Sequence, residues 1–441
     1  MTRKACVHNL GCKVNAYESQ AMQQLLTEAG YEIVPFAPGA DVYVINTCSV
    51  TNIADRKSRQ MLHKAKKMNP DAVVVAAGCY VQTGSEKLIE DGTVDLILGN
   101  NRKQNIVEAL DEFYRSRTPS ADIIEINRTK EYENLSISGD SDRARAFVKV
   151  QDGCNQFCTY CIIPYARGRV RSRIPEDVME EVGALVSAGY KEIVLTGIHL
   201  SSYGVDFTDR KEKLLDLIKM TAEIPGVMRI RLGSLEPGII TDRFAAELSK
   251  VSQICPHFHL SLQSGCDATL KRMNRRYRTA EYAEKCEILR RYFDRPALTT
   301  DIITGFPGET EEEFEASYNF VSDIHFFETH VFPYSRRKGT RADKMDGQLS
   351  EHIKKERSAR LLELDRERRK EYASYFIGRE AEVLIEEDVT SEGQRMLAGH
   401  SKEYLNMLIP FTESIAPGDI VKVRALRFAQ DLHCNLVGTI I

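Results

Sequence analysis

Along most of its length the chain alternates short, β-branched apolar runs with stretches whose apolar residues recur at helical spacing, and beyond Tyr375 the helical period disappears. Apolar runs at 5–10, 42–46, 73–78 and 94–98, with helical stretches near 17–30, 52–68 and 84–91, predict a parallel sheet covered by helices on both faces. Residues 117–142 are poor in apolar side chains and carry Thr118-Pro119-Ser120 and Ser136-Ile137-Ser138-Gly139-Asp140, which predicts a linker or long loop. The alternation then resumes, with strands expected at 146–150, 192–195, 228–232, 258–262, 298–303 and 329–333. Helical patterns at 176–188, 213–222, 241–251, 280–291 and 311–321 lie between them, the last opened by the capping box Thr310-x-x-Glu313. Six βα units are too few to close an eight-stranded barrel, so a partial, open barrel is expected, with its chemistry on the loops after the strands. A charged helix over 348–373 leads to five strand patterns at 380–385, 395–399, 404–409, 419–427 and 433–440, the signature of a small β-barrel. The expected fold class is α/β: an N-terminal parallel α/β domain (1–120), a central partial (β/α)6 barrel (144–374) and a C-terminal all-β barrel (375–441).

Composition narrows the function classes less than the order does. The 60 Lys+Arg nearly balance 64 Asp+Glu, so bulk charge names no partner, and 42% hydrophobic residues exclude a chain-wide disordered polyelectrolyte. No apolar run approaches the ~18 residues that span a bilayer, and the first residues lack a signal-peptide core, so no membrane and a cytoplasmic, reducing setting are expected. In such a setting eleven cysteines read as metal ligands, reactive thiols or small core residues rather than as a disulfide framework.

Cys154, Cys158 and Cys161 form C-x3-C-x2-C just after a predicted strand. Three thiolates within eight residues can wrap one compact centre, and a [4Fe–4S] cluster held by three cysteines keeps one iron open to a small molecule. The alternative is structural zinc, which takes four ligands and usually shows paired C-x2-C units; no second pair follows, and His199 is the nearest downstream histidine. Cys12, Cys48 and Cys79 are far apart in sequence, yet each falls just past a predicted strand of the same sheet. Loops after parallel strands converge at the carboxyl edge, so these three are candidates for a second metal centre, against the plain reading of small loop residues. Cys6, Cys255, Cys266, Cys286 and Cys434 lie in strand or helix patterns and read as packing residues.

These motifs, over essentially the whole chain, resemble the radical S-adenosylmethionine (SAM) methylthiotransferase family. The C-x3-C-x2-C loop is similar to its cluster motif, Cys12, Cys48 and Cys79 to the auxiliary-cluster cysteines of its amino-terminal domain, and the β tail to its RNA-binding TRAM domain. The segments Asn9-Leu10-Gly11-Cys12-Lys13-Val14-Asn15 and Asn46-Thr47-Cys48-Ser49-Val50-Thr51 are most similar to the MtaB branch, which modifies N6-threonylcarbamoyladenosine beside the tRNA anticodon. Lys13-Val14-Asn15 differs from the Gln-Met-Asn form of the branch acting on isopentenyladenosine and from the Lys-Asn form of the branch acting on a ribosomal protein aspartate. The resemblance implies two [4Fe–4S] clusters, SAM as radical source and methyl donor, the six cysteines as cluster ligands with catalytic roles, a tRNA anticodon stem-loop as partner, and an electron donor such as flavodoxin or ferredoxin. It names no sulfur donor. A non-catalytic iron–sulfur RNA-binding protein is the contrasting class.

Further candidates follow predicted strands, where barrel loops should meet SAM: Thr196, Gly197, Ser234, Glu236 and Gln263, with Gly305 in Asp301-Ile302-Ile303-Thr304-Gly305-Phe306-Pro307-Gly308-Glu309 and Tyr160 beside the cluster loop. That glycine segment also reads as an ordinary strand-to-helix turn, and Tyr160 as packing. Basic clusters at Arg56/Lys57/Arg59, Arg167/Arg169/Arg171/Arg173, Lys271/Arg272/Arg275/Arg276/Arg278 and Arg336/Arg337/Lys338/Arg341 are candidate RNA contacts, each equally readable as a solvated face. The tail, with six Lys+Arg against ten Asp+Glu, is not marked by charge; Lys422 and Arg424 share a face by period two, with Arg427 expected opposite.

Overall fold

Strands β1 (Lys4–Asn9), β2 (Glu32–Ile33), β3 (Val42–Thr47), β4 (Val73–Gly78), β5 (Leu96–Leu98) and β6 (Ser120–Asp122) form an all-parallel sheet in the order β2-β1-β3-β4-β5-β6 in the computed structural model, which describes residues 2–84, 88, 90, 92–139, 144–430 and 435–441. β3 and β4 are buried along their whole lengths because alternate side chains enter different cores. Val42, Val44, Val73 and Val75 pack on one face, and Tyr43, Ile45, Val74 and Ala76 on the other. The stretch expected as a linker is instead structural: it supplies β6 and buries Ile126, Glu133, Leu135 and Ile137. Most of the helix expected over 84–91 lies outside the described residues, as does Cys434.

The second half of the α/β fold comprises β7 (Arg145–Asp152), β8 (Arg171–Ser172), β9 (Glu192–Gly197), β10 (Arg229–Leu232), β11 (His257–His259), β12 (Ala297–Thr304) and β13 (Glu328–Pro333). They pair as β10-β9-β7-β8 and β11-β12-β13. Parallel bridges Ile230–Ile254 and Leu235–Leu260 join the two sheets, so six parallel strands follow one another around an open, partial barrel. β8 was not expected; it runs antiparallel to β7 and returns the chain after the cysteine loop.

The helix Glu351–Ser374 leads into β14 (Glu380–Ser391), β15 (Gln394–Ser401), β16 (Asn406–Pro410), β17 (Ile420–Phe428) and β18 (Leu436–Ile440), which close as β14-β15-β16-β18-β17. The tail is fastened to the partial barrel. Arg229 donates to the carbonyls of His400 at 3.1 Å and Glu382 at 2.8 Å, and Arg231 to those of Lys402 at 3.0 Å and Ser401 at 3.2 Å. Ala297, Phe327, Tyr372 and Phe376 share one apolar core with the tail's Val383, Leu397 and Leu436. A bulge between Ala425 and Arg427 shifts the alternation, so Arg427 is exposed along with Lys422 and Arg424 rather than turned to the other face. Among the described residues no helix is long and apolar enough to cross a membrane.

Candidate active site

At the carboxyl edge of the first sheet, three successive loops carry Cys12, Cys48 and Cys79. Cys12 caps the helix Lys13–Glu28, and its thiol donates to Asn15 Oδ1 at 3.5 Å. Cys48 follows β3, where its N–H donates to Ser58 Oγ at 3.3 Å. Cys79 begins the helix Cys79–Gly84, and its sulfur accepts from Arg167 Nε at 3.3 Å and Asn100 Nδ2 at 3.6 Å. The three converge: Asn15 Oδ1 accepts from both the Cys12 thiol and Arg167 Nη2, Arg167 Nε donates to Cys79 Sγ, and Cys48 and Cys79 each follow one of the paired strand residues Thr47 and Gly78. The turn into Cys79 requires glycine, because Gly78 has φ +95° and a Cβ there would lie 2.6 Å from Asn46 Oδ1.

Cys154, Cys158 and Cys161 occupy the loop between β7 and the helix Ile163–Arg167. Gly153 opens it at φ +71°, where a Cβ would fall 1.9 Å from the Arg169 carbonyl oxygen. Backbone bonds then set the coil: Cys154 N–H donates to Gly168 O and Cys161 N–H to Cys158 O, each at 3.0 Å. The Thr159 N–H reaches Met273 O, and Arg275 Nη1 donates to Cys158 Sγ at 3.3 Å.

One cavity of about 500 Å³ is lined both by Cys12 and by Cys154, Cys158 and Cys161. Cys48 and Cys79 are buried and do not line it. Burial pushes the Cys48 and Cys154 thiols up to about 11 and Cys161 up to about 12. In a metal-free chain these thiols are neutral; a bound metal centre deprotonates them and releases protons. The donor sets suit iron–sulfur centres: three sulfurs apiece, with Arg167 and Asn100 aimed at one trio and Arg275 at the other, where N–H donors offset the negative charge of thiolate ligands.

Of the residues expected near SAM, Tyr160, Ser234, Glu236 and Gln263 line the cavity, whereas Thr196, Gly197 and Gly305 are not among its lining residues. Thr196 is buried in the wall, Gly197 packs against Gln151, and Gly305 closes a turn in which its N–H donates to Glu309 Oε2 at 2.7 Å. Gln263 holds φ +73°, a strained conformation for a residue with a Cβ, kept by its N–H donating to Asp301 O at 2.8 Å. Sequence reasoning did not single out Gln156, His199, Ser261, Arg275 or Asp301 as lining residues. Arg275 Nη2 meets Glu236 Oε1 at 2.6 Å, and His199 Nε2 lies 3.7 Å from the same oxygen. Burial works against the Glu236 carboxylate, but His199 and Arg275 outweigh it and hold its pKa below the usual range.

Between the two trios lies a buried ionic network centred on Arg167. Its Nη1 donates to Glu18 Oε1 at 2.8 Å and to Asp152 at 3.2 Å, and its Nη2 to Asn15 Oδ1 at 3.1 Å. Lys149 joins Glu18 at 2.9 Å to Asp152 at 2.7 Å. The network thus links the helix after Cys12, Cys79 itself and the residue two before Cys154. This corrects the expected RNA contacts: Arg167, Arg171 and Arg173 are buried and engaged inside, Arg275 serves the cavity, and Arg337 is buried against Asp55 and Ser49. Arg56, Lys57, Arg59, Arg169, Lys271, Arg276, Arg278, Arg336, Lys338 and Arg341 remain exposed.

Comparison with known proteins accords with this geometry. Residues 148–321 match the model of the radical SAM superfamily, and residues 4–99 match that of uncharacterized protein family UPF0004. The chain is 44% identical over 421 residues to the threonylcarbamoyladenosine tRNA methylthiotransferase MtaB of Bacillus subtilis, covering 95% of this chain and 93% of that one. The chain belongs to the radical SAM methylthiotransferase family. It is also 35% identical to the tRNA-2-methylthio-N(6)-dimethylallyladenosine synthase of Acetivibrio thermocellus, covering 95% of this chain and 88% of that one. Among solved structures, the radical SAM methyltransferase TsrM of Kitasatospora setae, with cobalamin and a [4Fe–4S] cluster bound, shares the fold with a TM-score of 0.54, at 15% identity over 76% of this chain and 75% of that one. As a member of its family, this methylthiotransferase is an enzyme whose cofactors are SAM and [4Fe–4S] clusters.

Proposed function

We propose that the protein installs a methylthio group at carbon 2 of N6-threonylcarbamoyladenosine beside the anticodon of tRNA. The observation that carries this reading is the shared cavity, onto which Cys12 of one trio and all three cysteines of the other open. The choice of nucleoside is supported by the greater likeness to the Bacillus subtilis MtaB, 44% against 35% for the dimethylallyladenosine enzyme. Cys154, Cys158 and Cys161 would hold one [4Fe–4S] cluster and Cys12, Cys48 and Cys79 a second. When bound, these groups and SAM supply hydrogen abstraction from an unactivated carbon and the sulfur and methyl that replace the hydrogen, reactivity that acids and bases lack.

The chain's own residues bind, orient and shield. Glu236, kept ionised by Arg275 and His199, presents a carboxylate to the cavity that suits an amine, and Arg275 with Ser234 and Gln263 offers donors to a carboxylate. Tyr160, packed edge-on to Phe306, supplies an aromatic face, and Leu235, Ile303 and Phe332 exclude water from the walls. Exposed Arg56, Lys57, Arg59, Arg336, Lys338 and Arg341 lie on segments brought together at the rim, where Asn52 bonds Ser335 and Arg336, and they suit RNA phosphates. Such an enzyme works in the cytoplasm, fed electrons by a donor such as flavodoxin or ferredoxin. Mass spectrometry of tRNA nucleosides from a deletion strain tests the function: loss of the 2-methylthio derivative of N6-threonylcarbamoyladenosine, restored by the gene, is expected, and an unchanged nucleoside profile overturns it.

A further inference from the structure

One side of the cavity's mouth presents apolar side chains to solvent. Val50, Phe332 and Pro333 line the cavity and are also exposed, Val50 by 52% and Phe332 by 48%. Ile53, three residues beyond Val50, is 66% exposed. None of Val50, Ile53 and Phe332 packs into an apolar core of the described residues. Phe332 stands opposite Ile303, another lining residue, yet its ring meets no other aromatic ring or cation among the described residues.

The two segments that carry these side chains come from different halves of the α/β fold and are tied into one lip. Asn52 N–H donates to Ser335 Oγ at 3.0 Å, and its Nδ2 to Arg336 O at 2.7 Å. Arg337 Nη1 donates to Asn52 Oδ1 at 2.8 Å and Asp55 Oδ2 at 2.7 Å, and its Nη2 to Ser49 Oγ at 2.8 Å. On the same segments Arg56, Lys57, Lys338 and Arg341 are exposed and form no ion pair with a described residue. A fixed apolar edge with unmatched cations on both of its segments suits a ligand that is flat and apolar but strung on negative charge, which describes an unpaired nucleobase on its phosphate backbone.

We propose that Phe332, with Val50 and Pro333 beside it, stacks on the unpaired base next to the one that is modified. This rests on the tRNA reading given above and assigns residues to it. The modified base enters the cavity, so its neighbour on the strand stays at the mouth and loses a stacking partner. The Phe332 ring takes the vacant place. Every base has a face that can stack, so the lip positions the RNA without reading its sequence, while the flanking cations hold phosphates.

The test measures binding of anticodon stem-loop RNAs to the reconstituted full-length enzyme by fluorescence anisotropy, in a cycle that pairs protein variants with RNAs lacking one base. Besides the intact RNA, three others carry an abasic sugar at the modified position or at the nucleotide on its 5′ or 3′ side. Phe332→Ala should weaken the intact RNA by about tenfold. Phe332→Tyr should stay within about twofold of wild type, and Phe332→Leu, which keeps apolar bulk without a ring, should resemble alanine. Removing the base on one side should cost wild type about as much, and should leave nothing further for Phe332→Ala to remove; on the other two abasic RNAs the full alanine loss should persist. Iron content and the electron paramagnetic resonance signals should match wild type in every variant. The same alanine effect on all four RNAs, coupling to the modified base itself, binding restored by leucine, a tyrosine as weak as alanine, or altered cluster signals overturns the proposal. A wild-type enzyme that neither binds nor modifies the intact stem-loop defeats the tRNA reading itself, and the lip's role with it.

Discussion

The two cysteine trios are assembled by opposite routes, and of the dispersed one only Cys12 lines the cavity onto which the other trio opens. Cys154, Cys158 and Cys161 are neighbours on one loop, coiled by local backbone bonds and opened by a glycine in the left-handed region. Cys12, Cys48 and Cys79 come from three loops, and only the parallel pairing of β1, β3 and β4 brings them together. The first set is an outcome of local sequence, whereas the second is an outcome of topology and requires the whole sheet to fold first. Each is nevertheless finished in the same way, by an arginine donating to one sulfur, Arg275 to Cys158 and Arg167 to Cys79.

If the trios are separate sites with separate tasks, they should fail separately. The largest effect is expected from Cys158→Ala, which should abolish SAM cleavage while retaining the auxiliary centre, about four irons of roughly eight. Chromatography of 5′-deoxyadenosine together with an iron assay checks this, and surviving cleavage breaks the assignment. Cys79→Ala should do the reverse, keeping SAM cleavage within about threefold of wild type while the methylthiolated nucleoside disappears. Parallel loss of both activities would mean that the trios are not separable.

A third expectation concerns the link between them. Arg167→Met removes the cation from a buried cluster and leaves Glu18 and Asp152 undercompensated, at a cost of about 3–5 kcal/mol. A lower urea midpoint, with accelerated iron loss from both trios, is the expected reading; loss confined to one trio would uncouple them. The smallest effect supplies a control away from either site. Asp365 accepts the Thr329 N–H at 2.6 Å, and burial raises its carboxyl to about 6. A raised acid binds more protons folded than unfolded, so stability falls as pH rises from about 4 to 6, by about 1–3 kcal/mol. Asp365→Asn should flatten that slope in pH-dependent unfolding, and any pH dependence of iron retention that persists belongs to the cysteines. An unchanged slope would show that another group titrates there.

What the sequence reveals follows the same division between local and distant causes. The strands β3 and β4 are legible as continuous apolar runs, and the helix Asn52–Met68 through its period and a Thr51 cap that accepts from Ala54. β6 was hidden because three residues at a sheet edge, two of them exposed, need no apolar pattern, and β8 because two residues carry no period at all. The C-x3-C-x2-C loop could be read directly, and the dispersed trio through strand ends. Arg167, Arg171 and Arg173 misled because an arginine buried against distant carboxylates has the same letter as one in solvent. Nor could any local signal find Arg275 or His199, whose work at Glu236 depends on contacts 39 and 37 residues away.

The fastening of the tail has a further consequence. Four arginine-to-carbonyl bonds and a common apolar core hold the small barrel as a fixed jaw against the partial barrel. A jaw so anchored cannot swing to meet its guest. Adjustment on docking therefore falls to the nucleic acid, whose unpaired loop is the softer body and can turn a base outward at modest expense.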